Sequence, residues 1–109
     1  MYWDAGNDGG YDRINKIAPA ADYEGNWVHW AFTKNATTGS MKIYKNGIEI
    51  ATKTGGANIS NKAKKIVLGG SPANGEHSDQ LFKGSLDDLK IFNRPLSAAE
   101  VLTLYNTEK

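Results

Sequence analysis

The stretch Phe82-Lys-Gly-Ser-Leu-Asp-Asp-Leu-Lys-Ile-Phe-Asn-Arg-Pro-Leu-Ser-Ala-Ala-Glu-Val-Leu-Thr-Leu-Tyr105 decides how the rest of the chain is read. Its first half predicts a strand, because Leu86, Leu89, Ile91 and Phe92 bring bulk and β-propensity and Asn93-Arg94-Pro95 ends the run. Leu86 and Leu89 stand an odd number of residues apart and cannot share a face of a regular strand. Either a bulge sits at Asp87-Asp88 or both faces are covered. The second half predicts a helix start. Ser97 as N-cap and Glu100 three residues on form a capping box. Val101, Leu104 and Tyr105 then recur at helical spacing over a short turn.

Outward from this ending, the chain reads as short strands separated by turn residues. Met1–Ala5 and Tyr11–Ile17 flank Gly6-Asn-Asp-Gly-Gly10, a hairpin with a Gly-rich loop. Ala18–Asn26 is a polar connection. Trp27–Lys34 carries large residues at odd and even positions, which predicts a central strand covered on both faces, with Trp27, Trp30 and Phe32 in the core. Ser40–Lys45 and Ile48–Thr54 are joined by Asn46-Gly47, the dipeptide that suits the two positive-φ positions of a type I′ turn. Ala63–Gly70 is a further strand and Ser71–Gln80 a polar loop. About seven strands at this spacing predict an all-β, two-sheet antiparallel sandwich closed by one helical turn.

Length and charge limit the function. At 109 residues there is room for one domain, residues 1–109, and one core. Thirteen Lys and Arg against twelve Asp and Glu leave no global field to recruit nucleic acid or an acidic membrane. The local run Lys62-Ala-Lys-Lys65 lacks the interleaved aromatics of a nucleic-acid surface. No cysteine is present, so disulfides and thiolate metal sites are excluded. No apolar run is long enough to span a membrane, and Met1-Tyr-Trp-Asp lacks the pattern of a signal peptide.

The order Phe-x-Gly-x-Leu-Asp-Asp-Leu-x-Ile-Phe-Asn-Arg-Pro-Leu-Ser-x-x-Glu-Val-x-x-Leu-Tyr resembles the C-terminal signature of laminin-G-like jelly rolls of the concanavalin A-like lectin/glucanase superfamily. Trp27-Val-His-Trp-Ala-Phe-Thr33, Lys42-Ile-Tyr-Lys-Asn-Gly-Ile-Glu-Ile50 and Ile66-Val-Leu-Gly-Gly70 are similar to three more family motifs in the family's order. The resemblance implies a jelly roll covering the C-terminal two thirds or so of such a domain, without the usual N-terminal strands. It also implies an extracellular or cell-surface setting. Open strand edges invite pairing, so a homo-oligomer is expected, most simply a two-fold dimer completing its sheets across the interface. A monomer that covers the gap by shifting Met1–Ile17 is the alternative.

Catalysis is not expected. The superfamily's glucanases use a Glu-x-Asp-x-x-Glu cluster, and Glu24, Glu49, Glu76, Glu100 and Glu108 form none. His29 lies mid-strand, where a packed histidine fits better than a base. A structural Ca²⁺ is implied at Asp87, the first Asp of the family motif, whereas the residues alone allow a carboxylate capping backbone N–H groups. Asp4, Asp8 and Asp12 only partly imitate a Ca²⁺ loop, and Asx turn chemistry explains them more cheaply than a metal does. For a glycan, Trp3, Tyr11, Tyr23 and Tyr44 could supply a stacking platform, and Asp12, Arg13, Asn74, His77 and Asp79 the polar groups. The expected function is a non-catalytic carbohydrate- or glycoconjugate-binding or adhesion module. The alternative is a structural or protein–protein interaction module without a small ligand.

Overall fold

Asn46 and Gly47 both hold positive φ, 50° and 79°, so the chain reverses here by the type I′ turn that its sequence requires. The computed structural model describes residues 1–7, 10–56, 58, 67–70 and 81–109. On either side of this turn run β4 (Ser40–Lys45) and β5 (Ile48–Lys53), and β3 (Trp30–Asn35) pairs with the other edge of β4. A second antiparallel sheet consists of β1 (Tyr2–Asn7) and β2 (Gly10–Asn15). The helix α1 (Ala98–Glu108) closes the chain. Residues 1–61 with 92–109 make one compact unit, and residues 62–91 a second.

Strand alternation builds the core. On one face of the three-stranded sheet, Met41 and Ile43 are fully buried. Ala5 and Ile14 of the hairpin complete the cluster, and Trp3, Trp30, Ile50 and Ala51 pack around it. A register shift between Ile43 and Tyr44 lets Ile50 join this face. The hairpin is also tied down by polar contacts. The Lys34 ammonium donates to Asp12 Oδ2 at 2.5 Å, and Lys53 donates to the Arg13 carbonyl at 3.0 Å.

Several expectations need correction. Trp27–Lys34 does not form one central strand: β3 starts only at Trp30 and, among the described residues, lies at a sheet edge, while β4 is the middle strand. Trp27 therefore stands outside the ladder and is 71% exposed, and Phe32, on an edge strand, is 39% exposed. The first two strands reach further into the Gly-rich stretch than expected, since Gly6, Asn7 and Gly10 all pair. Asn15 rather than Ile17 ends β2, and Ile17 is exposed. The described residues contain five strands, not seven. The first half of Ala63–Gly70 lies outside the described residues, and Val67–Gly70 is not a strand.

The largest difference concerns the closing stretch. Residues 82–92 adopt no regular strand, and Asp88 turns to φ 50°. Leu81, Phe82, Leu86, Leu89, Ile91 and Phe92 are each at least 48% exposed. The β-propensity of these residues is real, but among the described residues no strand pairs with them.

The helical half behaves as read, and extends further. Ser97 Oγ accepts from Glu100 N at 3.2 Å, and the Glu100 carboxylate accepts from Ser97 N at 2.8 Å, so the capping box is complete. Instead of one turn, α1 runs for 11 residues and buries Val101. It sits against the β4–β5 turn. A Cβ placed on Gly47 would lie 2.8 Å from Leu102 Cδ1 and 3.3 Å from its Cα. Both the positive φ and this close approach require glycine. Gly47→Ala is therefore expected to destabilise the protein by about 1–3 kcal/mol, read from urea unfolding. Wild-type stability in that variant would refute the docking of α1 on this turn.

Candidate functional site

The hairpin sorts its residues by alternation. Tyr2 and Asp4 on β1, with Tyr11, Arg13 and Asn15 on β2, face outward, while Trp3, Ala5, Asp12 and Ile14 face the core side. The register sets Asp4 directly opposite Arg13. Across that pair, Arg13 Nε and Nη2 donate to the two carboxylate oxygens of Asp4, both at 2.7 Å, in a bidentate fork. The fork fixes the plane of the guanidinium between two rings. Its carbon lies 4.8 Å from the Tyr2 centroid and 5.1 Å from the Tyr11 centroid. Tyr2 and Tyr11 remain 66% and 58% exposed. Exposed pairs of this kind add little to folding stability, so the fold itself does not demand the arrangement. What it offers a ligand is two aromatic rings and an oriented guanidinium whose Nη1 takes no part in the fork.

Three carboxylates, Asp4, Asp12 and Glu100, are all lowered. Hydrogen bonding from Arg13 holds Asp4 below its ordinary range. Asp12 is brought down to about 2, chiefly by its bond from Lys34, against a desolvation that raises it, and with help from Asn58 N and Nδ2 at 2.8 and 3.1 Å. The side chains of Lys34 and Asp12 are only 10% and 13% exposed. Gly56 makes room for this centre, since a Cβ there would stand 3.1 Å from Asp12 Oδ2. Glu100 is lowered to about 2 by the Arg94 fork and by Ser97 N. A general acid needs the opposite shift.

Of the residues singled out in the sequence, the structure brings Tyr11 and Arg13 together on the outward face. Trp3 turns inward, its ring 5.5 Å from Phe32, and Asp12 turns inward to Lys34. Tyr44 is buried and Tyr23 is exposed elsewhere. Asn74, His77 and Asp79 lie outside the described residues, as does Asp8. Asp87 is exposed and its Oδ1 accepts from Asp88 N at 2.8 Å. Among the described residues no three His, Cys, Asp or Glu side chains converge as a metal site. His29 is half-buried, with Nε2 3.5 Å from Glu108 Oε2 and its ring 5.9 Å from that of Tyr105. Tyr2 is the site residue that the sequence reading passed over, and Asp4 entered it only as part of an imperfect Ca²⁺ loop. The matching spacings Tyr2-x-Asp4 and Tyr11-x-Arg13 on two strands of one hairpin are the signal that finds them.

A sequence profile of a laminin-G family, described as the concanavalin A-like lectin/glucanases superfamily, matches residues 1–102. The chain belongs to this family. The match extends N-terminally past the four motifs and takes in the hairpin. Among curated proteins none matches. Among solved structures, the chain is similar to a crystal structure of an S-layer domain-containing protein (residues 221–444) from Clostridium thermocellum, with a TM-score of 0.62 and 24% identity. That alignment covers 88% of this chain and 45% of the other, and it speaks for the fold. No helix among the described residues is long and apolar enough to cross a membrane.

The lowered carboxylates give a signed expectation. Asp12 and Glu100 fall from 3.8 and 4.5 to about 2, so the folded state binds fewer protons than the unfolded state in this window. Their contribution is whole above the higher of these values and is lost as pH falls through about 2. The urea midpoint is expected to be flat from pH 7 to about 5 and to decline steadily below about 4.5. A midpoint that holds level down to pH 2 would contradict the two ion pairs.

Proposed function

We propose that this domain is a non-catalytic carbohydrate- or glycoconjugate-binding module of adhesive type, working at a cell surface through the outward face of the β1–β2 hairpin. The observation that carries this reading is the Arg13 guanidinium, forked onto Asp4 and framed by the exposed rings of Tyr2 and Tyr11. Sugars present apolar C–H faces to aromatic rings and hydroxyls to planar donors and carboxylates, and this face offers all three. Membership in the concanavalin A-like superfamily supports the ligand class, and the likeness to an S-layer domain-containing protein supports a surface setting. We take the two sheets to be part of a jelly roll. The non-catalytic reading is supported by the carboxylates of this face and of the core edge, which are held in ion pairs and ionised. A glycan array probed with the wild-type chain is expected to retain it, and Tyr11→Ala to bind the retained glycan about tenfold more weakly. No retained glycan, or wild-type affinity in the variant, would defeat the reading.

A second reading, self-assembly, is favoured by a different observation, the exposed apolar residues of the segment Leu81–Phe92. This segment carries Lys83 and Lys90 with Asp87 and Asp88, so a second copy of it would meet balanced charge rather than repulsion. On this reading the partner is another copy, most simply in a two-fold dimer. Sedimentation velocity is expected to give twice the 11.9 kDa of the chain, returning to monomer in Leu89→Lys/Ile91→Lys. A wild-type monomer would remove self-assembly and leave the hairpin site untouched.

A further inference from the structure

The outer face of the three-stranded sheet carries a groove that the hairpin reading does not use. Thr33 pairs with Lys42, and Asn35 with Ser40, on the side of β3 and β4 opposite Met41 and Ile43. Arg94 to Ala98, leading into α1, also line this groove. Its volume is about 430 Å³, within the roughly 300–1,000 Å³ of small-molecule sites. Thr33 lies at its buried side, and Tyr44, Pro95 and Leu96 supply apolar wall.

Every charged side chain that lines this groove is already paired. Lys42 donates to Glu49 at 2.7 Å, and Arg94 forks onto Glu100 at 3.0 and 2.8 Å. The helix start offers no anion site, because Ser97 and Glu100 satisfy one another. An incoming anion would have to break an ion pair to be bound, and an incoming cation likewise. The groups that the ion pairs leave over are the Thr33 and Ser40 hydroxyls and the Asn35 amide nitrogen, whose Oδ1 is used by Thr37 N and Thr38 N. Hydroxyls both donate and accept, and an amide NH₂ donates, so the set is matched to a ligand made of hydroxyls on an apolar ring.

We propose that this groove is a second ligand site, on the opposite side of the core from the Tyr2, Tyr11 and Arg13 face, and that it takes an uncharged saccharide unit. This groove shares no residue with the hairpin site, and each site has its own reporter residues. A domain with a glycan face on each side of one core can bridge two chains rather than decorate one.

The test is an amide-resonance titration of the ¹⁵N-labelled full chain with a glucose tetramer, an N-acetylglucosamine tetramer and, as the charged comparison, a galacturonate tetramer. Saturable shifts at Thr33, Asn35 and Ser40 with a neutral tetramer are expected. Thr33→Val/Ser40→Ala is expected to weaken that titration about tenfold, as for two lost hydrogen bonds. Should the double variant lose its native spectrum, Ser40→Ala alone, at a strand end, gives the same reading at about threefold. The proposal is overturned if no neutral tetramer shifts these residues, if shifts stay on Tyr2, Tyr11 and Arg13, or if the galacturonate tetramer binds the groove better. Shifts in the groove without shifts on the hairpin would instead overturn the hairpin site alone.

Discussion

The ion pair between Asp12 and Lys34 is the constraint on which the rest of the hairpin depends. A carboxylate placed on the core side of a strand is costly unless it is paired and hydrogen-bonded. Here Lys34 and Asn58 supply that compensation, and Gly56 leaves the space for it. Because successive side chains alternate, fixing Asp12 inward fixes Tyr11 and Arg13 outward, and the ladder carries the same decision to Tyr2 and Asp4. A slip of one residue would bury Arg13 and expose Ile14. The polar contact thus decides the face, while Ala5, Ile14, Met41 and Ile43 supply the burial.

Both candidate sites follow from the same economy of charge. Asp4, Asp12, Glu49 and Glu100 each meet a cation on a neighbouring element. Such closure leaves rings, hydroxyls and amides as the groups open to a ligand, and these suit recognition more than proton transfer. The hairpin face is an exposed platform with one oriented guanidinium. The outer groove is partly enclosed and rests on hydroxyls. Their chemistry is related, but they are built from separate parts of the sheet system.

Local chemistry was legible wherever a short run of residues settles its own conformation. Asn46-Gly47 requires positive φ, and Ser97 with Glu100 satisfies the first turn of α1 whatever lies around them. Decisions that depend on the neighbouring strand were not legible. The same bulky residues that made Trp27–Lys34 look central occupy an edge, and Trp27 falls outside the ladder altogether. Leu86 to Phe92 have the propensity of a strand, yet among the described residues no strand pairs with them, and propensity alone does not make a sheet. For the site, Arg13 and Tyr11 were found because their types suit sugars, whereas Tyr2 and Asp4 needed the hairpin register to be seen as their neighbours. Asp12 has the right chemistry for a ligand, but it is spent inside the fold.

The most direct test is a double-mutant cycle on Asp12 and Lys34, with Asp12→Asn, Lys34→Met and the two together, followed by urea unfolding at neutral pH. If this pair locks the hairpin onto the sheet, each single variant lowers stability and the double variant loses clearly less than their sum. Strictly additive losses would mean that the two charges do not act on one another, and the outward placement of Tyr2, Tyr11 and Arg13 would lose its physical basis.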